Sequence, residues 1–231
     1  MRATKISQPV TISRKCDCCK KIISINKNNI DDAIFYDKKS YHRKCFIDIC
    51  NKRAKMKRMN VAEKWQWVLK NIERISQESK YHYMESIYKE EINQFILSEY
   101  DLTIIPSSVW QKLSNIYFGT FRGMSVGISP EELIDMWRRK IDFLNRVANQ
   151  NVTKGKVMNL DQRINYDLSI LINKYDDYKK WKESQKILES DTQYISNNSS
   201  LDTSIINEVS RKVADKNEDS EMSDLVDDIF N

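Results

Sequence analysis

The chain has 231 residues, 40% of them hydrophobic, with only four Gly and three Pro. That balance supplies a real core and argues against an all-β fold, which needs many turn residues. The net charge of +5 hides a gradient, with +11 over residues 1–60, +1 over 61–190 and −7 over 191–231. No run approaches the roughly 18–20 apolar residues of a membrane span. The start of the chain lacks the apolar stretch of a secretory leader. Five cysteines, an odd number confined to the first fifty residues, do not read as the framework of a secreted, disulfide-stapled domain. The expectation is a reducing, cytoplasmic setting.

Residues 1–13 are polar and expected to be flexible. Residues 14–60 carry the main signal. Cys16 and Cys19 form a Cys-x-x-Cys pair, and His42 and Cys45 a His-x-x-Cys pair, with 22 residues between the pairs. A two-residue spacing lets a tight turn, or the first turn of a helix, aim two ligands at one ion. Four N/S ligands are the set that closes a structural zinc site. Cys18 and Cys50 remain as alternative ligands. Two short β-like runs, 22–25 and 33–36, lie between the pairs, and a helix is expected from the second pair to about Met59. Phe46 and Ile49 would close a small core over a hairpin, giving a treble-clef-like module too small to be stable without its metal. Its helix carries Arg43, Lys44, Lys52, Arg53, Lys55, Lys57 and Arg58, which are candidates for phosphate contact. The net +11 of this segment points to a polyanion, most simply nucleic acid.

Residues 61–190 read as a bundle of five helices. Val61, Trp65, Val68, Leu69, Ile72 and Ile75 recur at helical spacing, as do Met84, Ile87, Tyr88, Ile92, Phe95 and Ile96. Pro106-Ser107-Ser108 opens a third helix. Three of the four glycines, Gly119, Gly123 and Gly127, mark a loop that needs positive φ or close backbone approach. Ser129-Pro130-Glu131-Glu132 is a helix start with a capping residue and Pro at the first turn. A last long helix is expected from about Leu160 to Leu188. Most aromatic residues fall on apolar stripes and are assigned to the core. Arg122 and the run Arg138-Arg139-Lys140 are weaker candidates for backbone contact. The glycine loop lacks the Gly-Lys-Ser/Thr ending of a phosphate-binding loop, so nucleotide hydrolysis is excluded.

Residues 191–220 are polar and read as a linker, with a short helix around 205–213. The segment 221–231 alternates acidic and bulky apolar residues. Leu225, Val226, Ile229 and Phe230 would anchor this disordered acidic tail in a basic-rimmed groove of a protein partner, or the tail would fold back on the basic head and compete with nucleic acid.

The run Cys16-Asp17-Cys18-Cys19 with Tyr41-His42-Arg43-Lys44-Cys45-Phe46 resembles the first half of a LIM zinc finger. It is also similar to a shortened poly(ADP-ribose) polymerase-type finger, which shares the Tyr-His-x-x-Cys-Phe element across a longer gap. The first resemblance implies protein binding and the second recognition of DNA ends. A LIM domain continues into a second zinc site, and no second ligand set follows Cys50 here, so a single zinc is expected. The tail is similar to the acidic tips of bacterial and phage single-stranded-DNA-binding proteins, but ends Ile-Phe-Asn rather than in a proline–aromatic pair. The Lys/Asn/Ile-rich composition suits a low-GC bacterium or its phage.

Together these features describe a non-enzymatic, zinc-containing nucleic-acid-binding protein that holds DNA backbone through the basic module. The alternative is a protein-interaction adaptor whose finger and tail each bind a partner such as a host polymerase or replication factor. A zinc hydrolase is disfavoured, because four protein ligands leave no open position for water.

Overall fold

A computed structural model describes residues 9–121 and 124–197. The chain divides into two units, residues 1–173 and 174–231. The first unit begins with two antiparallel hairpins. β1 (Ile12–Lys15) pairs with β2 (Ile22–Ile25), placing Ile12 opposite Ile25. β3 (Ala33–Tyr36) pairs with β4 (Lys39–His42), placing Ala33 opposite His42. The turn residues of the second hairpin, Asp37 and Lys38, both have positive φ, 51° and 59°. Two left-handed residues match the right-handed twist of the flanking strands. A parallel bridge from Cys16 to Ser40 ties the hairpins together.

Both β-like runs seen in the sequence are strands, but they do not pair with each other. β2 finds its partner in residues 12–15, which overlap the segment expected to be flexible, because burying Ile12 completes the apolar face made by Ile23 and Ile25.

Helix α1 (Arg43–Ala54) stops five residues before the expected end. The chain turns through residues 55–58 and returns as α2 (Met59–Lys70), so the two form a helical hairpin. The turn lets Ile49, Cys50 and Ala54 of α1 pack in one cluster with Val61, Trp65 and Leu69 of α2. A continuous helix would have left those faces in water. A second joint falls at Asn71, whose side-chain amide donates to the Trp67 carbonyl at 2.8 Å. A side chain that competes for backbone groups this way ends a helix. Ile72 and Ile75 therefore belong to α3 (Ile72–Glu99), 28 residues long, which at 1.5 Å per residue spans about 42 Å.

The first half of α3 supports the hairpins. The Phe35 amide donates to Ser79 Oγ at 2.9 Å, and Tyr83 OH donates to the Ile34 carbonyl at 3.2 Å. The buried cluster runs without interruption from Ile12 and Cys16 through Phe46 and Trp65 to Tyr83 and Ile87. The cluster thus spans residues on both sides of position 60, the expected end of the small module.

The second half of α3 packs on α5 (Pro130–Thr153), with Phe95 edge-on to Trp137 at 5.6 Å. Ser129 caps α5 as expected, accepting from the Glu132 amide at 3.2 Å. α4 (Ser107–Phe118) and α6 (Leu160–Asn173) complete this end. α4 terminates at Gly119 with φ 68°, and Gly127 lies against its neighbours so closely that a Cβ there would sit 2.1 Å from the Tyr117 carbonyl oxygen. Two of the three loop glycines are accounted for by one positive φ and one close approach. Gly123 and Arg122 lie outside the described residues.

The final expected helix is two. α6 ends at Asn173, and α7 (Tyr175–Asn197) starts the second unit. Asp176 and Asp177 sit in the first turn of α7, where carboxylates are favoured by the helix dipole. The apolar periodicity runs across this break, which hid it. Within α7, Tyr175, Tyr178 and Trp181 stack along one side. The expected linker beyond residue 197, the helix at 205–213 and the tail at 221–231 lie outside the described residues.

One buried polar network locks the far end of the first unit. Trp137 Nε1 donates to Tyr100 OH (3.2 Å), Tyr100 OH donates to Asp167 Oδ2 (2.7 Å), and Arg163 Nε pairs with the same oxygen (2.8 Å). Asp167 is fully buried and its other oxygen has no hydrogen-bond partner among the described residues. Burial pushes its pKa up despite the bond from Tyr100 and the charge of Arg163. Removing the cation alone would strand a buried carboxylate, so Arg163→Met should cost about 3–5 kcal/mol in chemical denaturation. The raised pKa means the folded state holds its proton more tightly than the unfolded chain. Wild type should therefore gain stability relative to Asp167→Asn as pH falls from 7 toward about 4. Parallel unfolding curves for the two proteins across that range would reveal a flat difference if the carboxylate carried no such penalty.

Candidate metal centre

Cys16 directly follows β1 and opens a tight turn. Its amide donates to the Lys21 carbonyl at 2.8 Å, and its carbonyl accepts from the Lys20 amide at 2.9 Å. Lys20 takes φ 63° to close that loop. The turn brings Cys16 and Cys19 to the same side and sends Cys18 outward to solvent. His42 is the last residue of β4 and the N-cap of α1, and Cys45 lies in the first turn of α1. The Cys16–Ser40 bridge and an amide bond from Asp17 to the Ser40 carbonyl (2.9 Å) hold the two ligand pairs face to face. Asp17 adds ion pairs to Lys20 and Lys39, both at 3.0 Å. These bonds hold its carboxyl below the usual range.

The ligand atoms of Cys16, Cys19, His42 and Cys45 lie within 4.8 Å of one another. His42 Nδ1 is 3.4 Å from Cys19 Sγ and 3.9 Å from Cys45 Sγ. A tetrahedral ion with sulfur at about 2.3 Å and nitrogen at about 2.0 Å has edges of about 3.5–3.8 Å, so the set fits a metal ion. Cys50 is fully buried in the core, away from the group, and burial lifts its thiol to about 11. The four residues singled out by spacing are the ones brought together, and neither spare cysteine joins them.

The electrostatics suit a cation. Burial raises the Cys16 pKa, but hydrogen bonds from the backbone amides of Cys19, His42 and Cys18 outweigh it and bring the thiol down to about 6. Cys45 moves the other way, to about 12, through burial and then the neighbouring Cys19 and Cys16 sulfurs. The helix dipole at Cys45 favours a thiolate, yet burial, reinforced by the neighbouring sulfurs, outweighs it. Without a metal one thiolate forms easily and the next is opposed. A divalent ion removes the opposition and makes binding proton-linked.

The basic residues divide into two groups. Arg43 is occupied in holding α1 to α3, with bonds to Ser76 Oγ (2.8 Å) and Glu73 Oε1 (3.1 Å). Lys44 is exposed, but Asp48 sits one turn along the same face, between Lys44 and Lys52. The helix is less purely basic than its charge count suggested. Lys52, Arg53, Lys55, Lys57 and Arg58 are all exposed around the tip of the α1–α2 hairpin. The Arg53 guanidinium lies 4.9 Å from the Trp65 ring centroid. In the bundle, Arg138 pairs with buried Glu91 (3.3 Å), which ties it to the fold, and Arg139 makes an exposed pair with Asp135 one turn away (2.9 Å). Glu91 also binds Lys27 at 2.5 Å, joining the loop after β2 to α3. Leu225, Val226, Ile229 and Phe230 lie outside the described residues.

Sequence periodicity missed that some aromatic residues are not core. Trp67 and Trp110 are close to half exposed, and Tyr81 is largely in solvent. Trp67 follows buried Trp65 by two residues, a helical offset that puts them on opposite faces, and that offset was the available signal. No protein-family model, curated sequence or solved structure matches the chain. No helix among the described residues is long and apolar enough to cross a membrane.

Elemental analysis should find one metal ion per chain in wild type, Cys18→Ser and Cys50→Ala, and loss of it in Cys19→Ser and His42→Ala. Because the hairpins share a core with α2 and α3, chelation should free the Cys16–Cys19 turn to exchange its amides while α3 stays protected. Global unfolding on chelation would contradict the shared core.

Proposed function

We propose that the protein is a zinc-stabilised nucleic-acid-binding protein that holds phosphate backbone at the tip of the α1–α2 hairpin. Three sulfurs and one imidazole favour zinc over the hard, oxygen-seeking cations. The observation that carries the reading is where the tip charges fall. Lys52 and Arg53 end α1, where the helix dipole welcomes cations. Lys57 and Arg58 precede the first turn of α2, where the same dipole disfavours them. Folding does not call for cations there, whereas the free amides of a helix start and a ring of exposed Lys and Arg both attract phosphate. The metal fixes the root of α1, so the tip is presented without a large ordering cost on binding. The similarity of the Tyr41–Phe46 run to a polymerase-type finger points the same way. No catalytic role is assigned, and DNA is the expected form.

A protein-interaction adaptor is the second reading. It is favoured by the outer face of α4, where Trp110 and Phe118 are exposed on a helix whose exposed residues carry no charge. A salt-insensitive protein complex formed without nucleic acid would support it.

The test compares wild type with Lys55→Ala/Lys57→Ala/Arg58→Ala on duplex and single-stranded oligonucleotides over a salt series. Wild-type affinity should fall steeply with salt, and the variant should bind more weakly, its slope reduced by about one for each phosphate no longer held. Metal content and melting temperature should not change. Failure of metal-loaded wild type to bind either nucleic acid at low salt would sink the reading.

A further inference from the structure

The exposed face of α2 continues from the hairpin tip. At 100° per residue, Asn60, Glu63, Lys64, Trp67 and Lys70 share one side of the helix, opposite buried Trp65. All five are exposed. Trp67 is 49% exposed, although a tryptophan next to a core is usually the residue most worth burying. Across the Asn71 joint, the Arg74 guanidinium lies 5.2 Å from the Trp67 ring centroid. Arg74 also reaches Glu78 at 3.7 Å. The indole thus has lysines one turn to either side, an arginine against its ring, and Glu63 as the single acid on its stretch of α2. Met56 and Met59, 50% and 73% exposed, carry the apolar surface toward the tip.

Duplex DNA offers phosphates to such a surface but keeps its base faces stacked away. A single strand offers both phosphates and open base faces, and aromatic rings in basic surroundings bind it by stacking. We infer that Trp67 is a base-stacking platform and that the strand held at the hairpin tip is single-stranded, with Lys64, Lys70 and Arg74 contacting phosphates on either side of the stacked base. This rests on the nucleic-acid reading above and adds to it the form of the ligand and the residue that selects it.

The full metal-loaded chain would be titrated with oligo(dT), oligo(U) and a duplex of equal length, as wild type, Trp67→Ala and Trp67→Phe. Wild type should bind single strands more tightly than duplex. Trp67→Ala should weaken single-strand binding by about tenfold while leaving duplex binding and the salt slope unchanged, and Trp67→Phe should retain most of the affinity. Tryptophan emission of wild type should be quenched by oligo(dT) more than that of Trp67→Phe. The ratio of oligo(U) to oligo(dT) affinity separates an RNA ligand from a DNA one. Equal single-strand binding by wild type and Trp67→Ala, or a wild-type preference for duplex, overturns the stacking platform while the backbone grip at Lys55, Lys57 and Arg58 stands. Absence of binding to all three oligonucleotides overturns both.

Discussion

Three sulfurs and an imidazole nitrogen gathered within 4.8 Å are a costly arrangement for a protein alone. Backbone amides ease ionisation of Cys16, while burial and then the neighbouring sulfurs oppose it at Cys45, so a second thiolate is harder to form than the first. A divalent cation turns that mutual opposition into attraction. The direction of everything downstream follows, because His42 and Cys45 lie at the start of α1. Fixing them sets the axis of α1, the position of the turn at residues 55–58 and the face of α2 that meets water.

The metal centre is not the sole support of these elements. β3 offers backbone groups to α3, and Ser79 and Tyr83 answer them with side-chain hydroxyls. A strand whose outward groups were left without partners would need water or another strand. Aromatic packing of Phe46 with Tyr36, Tyr41 and Trp65 fills the space between. Small metal modules commonly depend on the ion to fold at all. Here the hairpins lean on a helix of 28 residues, so burial supports them alongside whatever an ion at the cluster would add.

The ligand set was legible because metal spacing is a local property, with each pair two residues apart on a turn or helix start. The helix count was less legible. Asn71 and Lys174 break apolar stripes that continue in phase on either side, so periodicity alone joins what the backbone separates. The missing strand partner of β2 was hidden for a related reason: residues 12–15 hold one buried apolar residue, Ile12, among exposed polar ones. Arg43 illustrates a limit of reading charge. In the sequence it is one more cation in a basic run, while in the fold it bonds Ser76 and Glu73. Trp67 is the converse, an apolar residue that lies off the helical stripe of Val61, Trp65, Val68 and Leu69 and stays half exposed.

The length of α3 sets a separation of its own. Its contacts with β3, at Ser79 and Tyr83 in its first half, and the network at Tyr100, its C-cap, lie roughly 25–30 Å apart along its axis. Sites that far apart, with no shared partner, behave as thermodynamically independent. Substitutions made at the two ends should therefore sum in their effect on stability. Glu91 is the exception: it pairs with Lys27 on the hairpin side and with Arg138 of α5, so a change at this one carboxylate is felt at both ends of the rod.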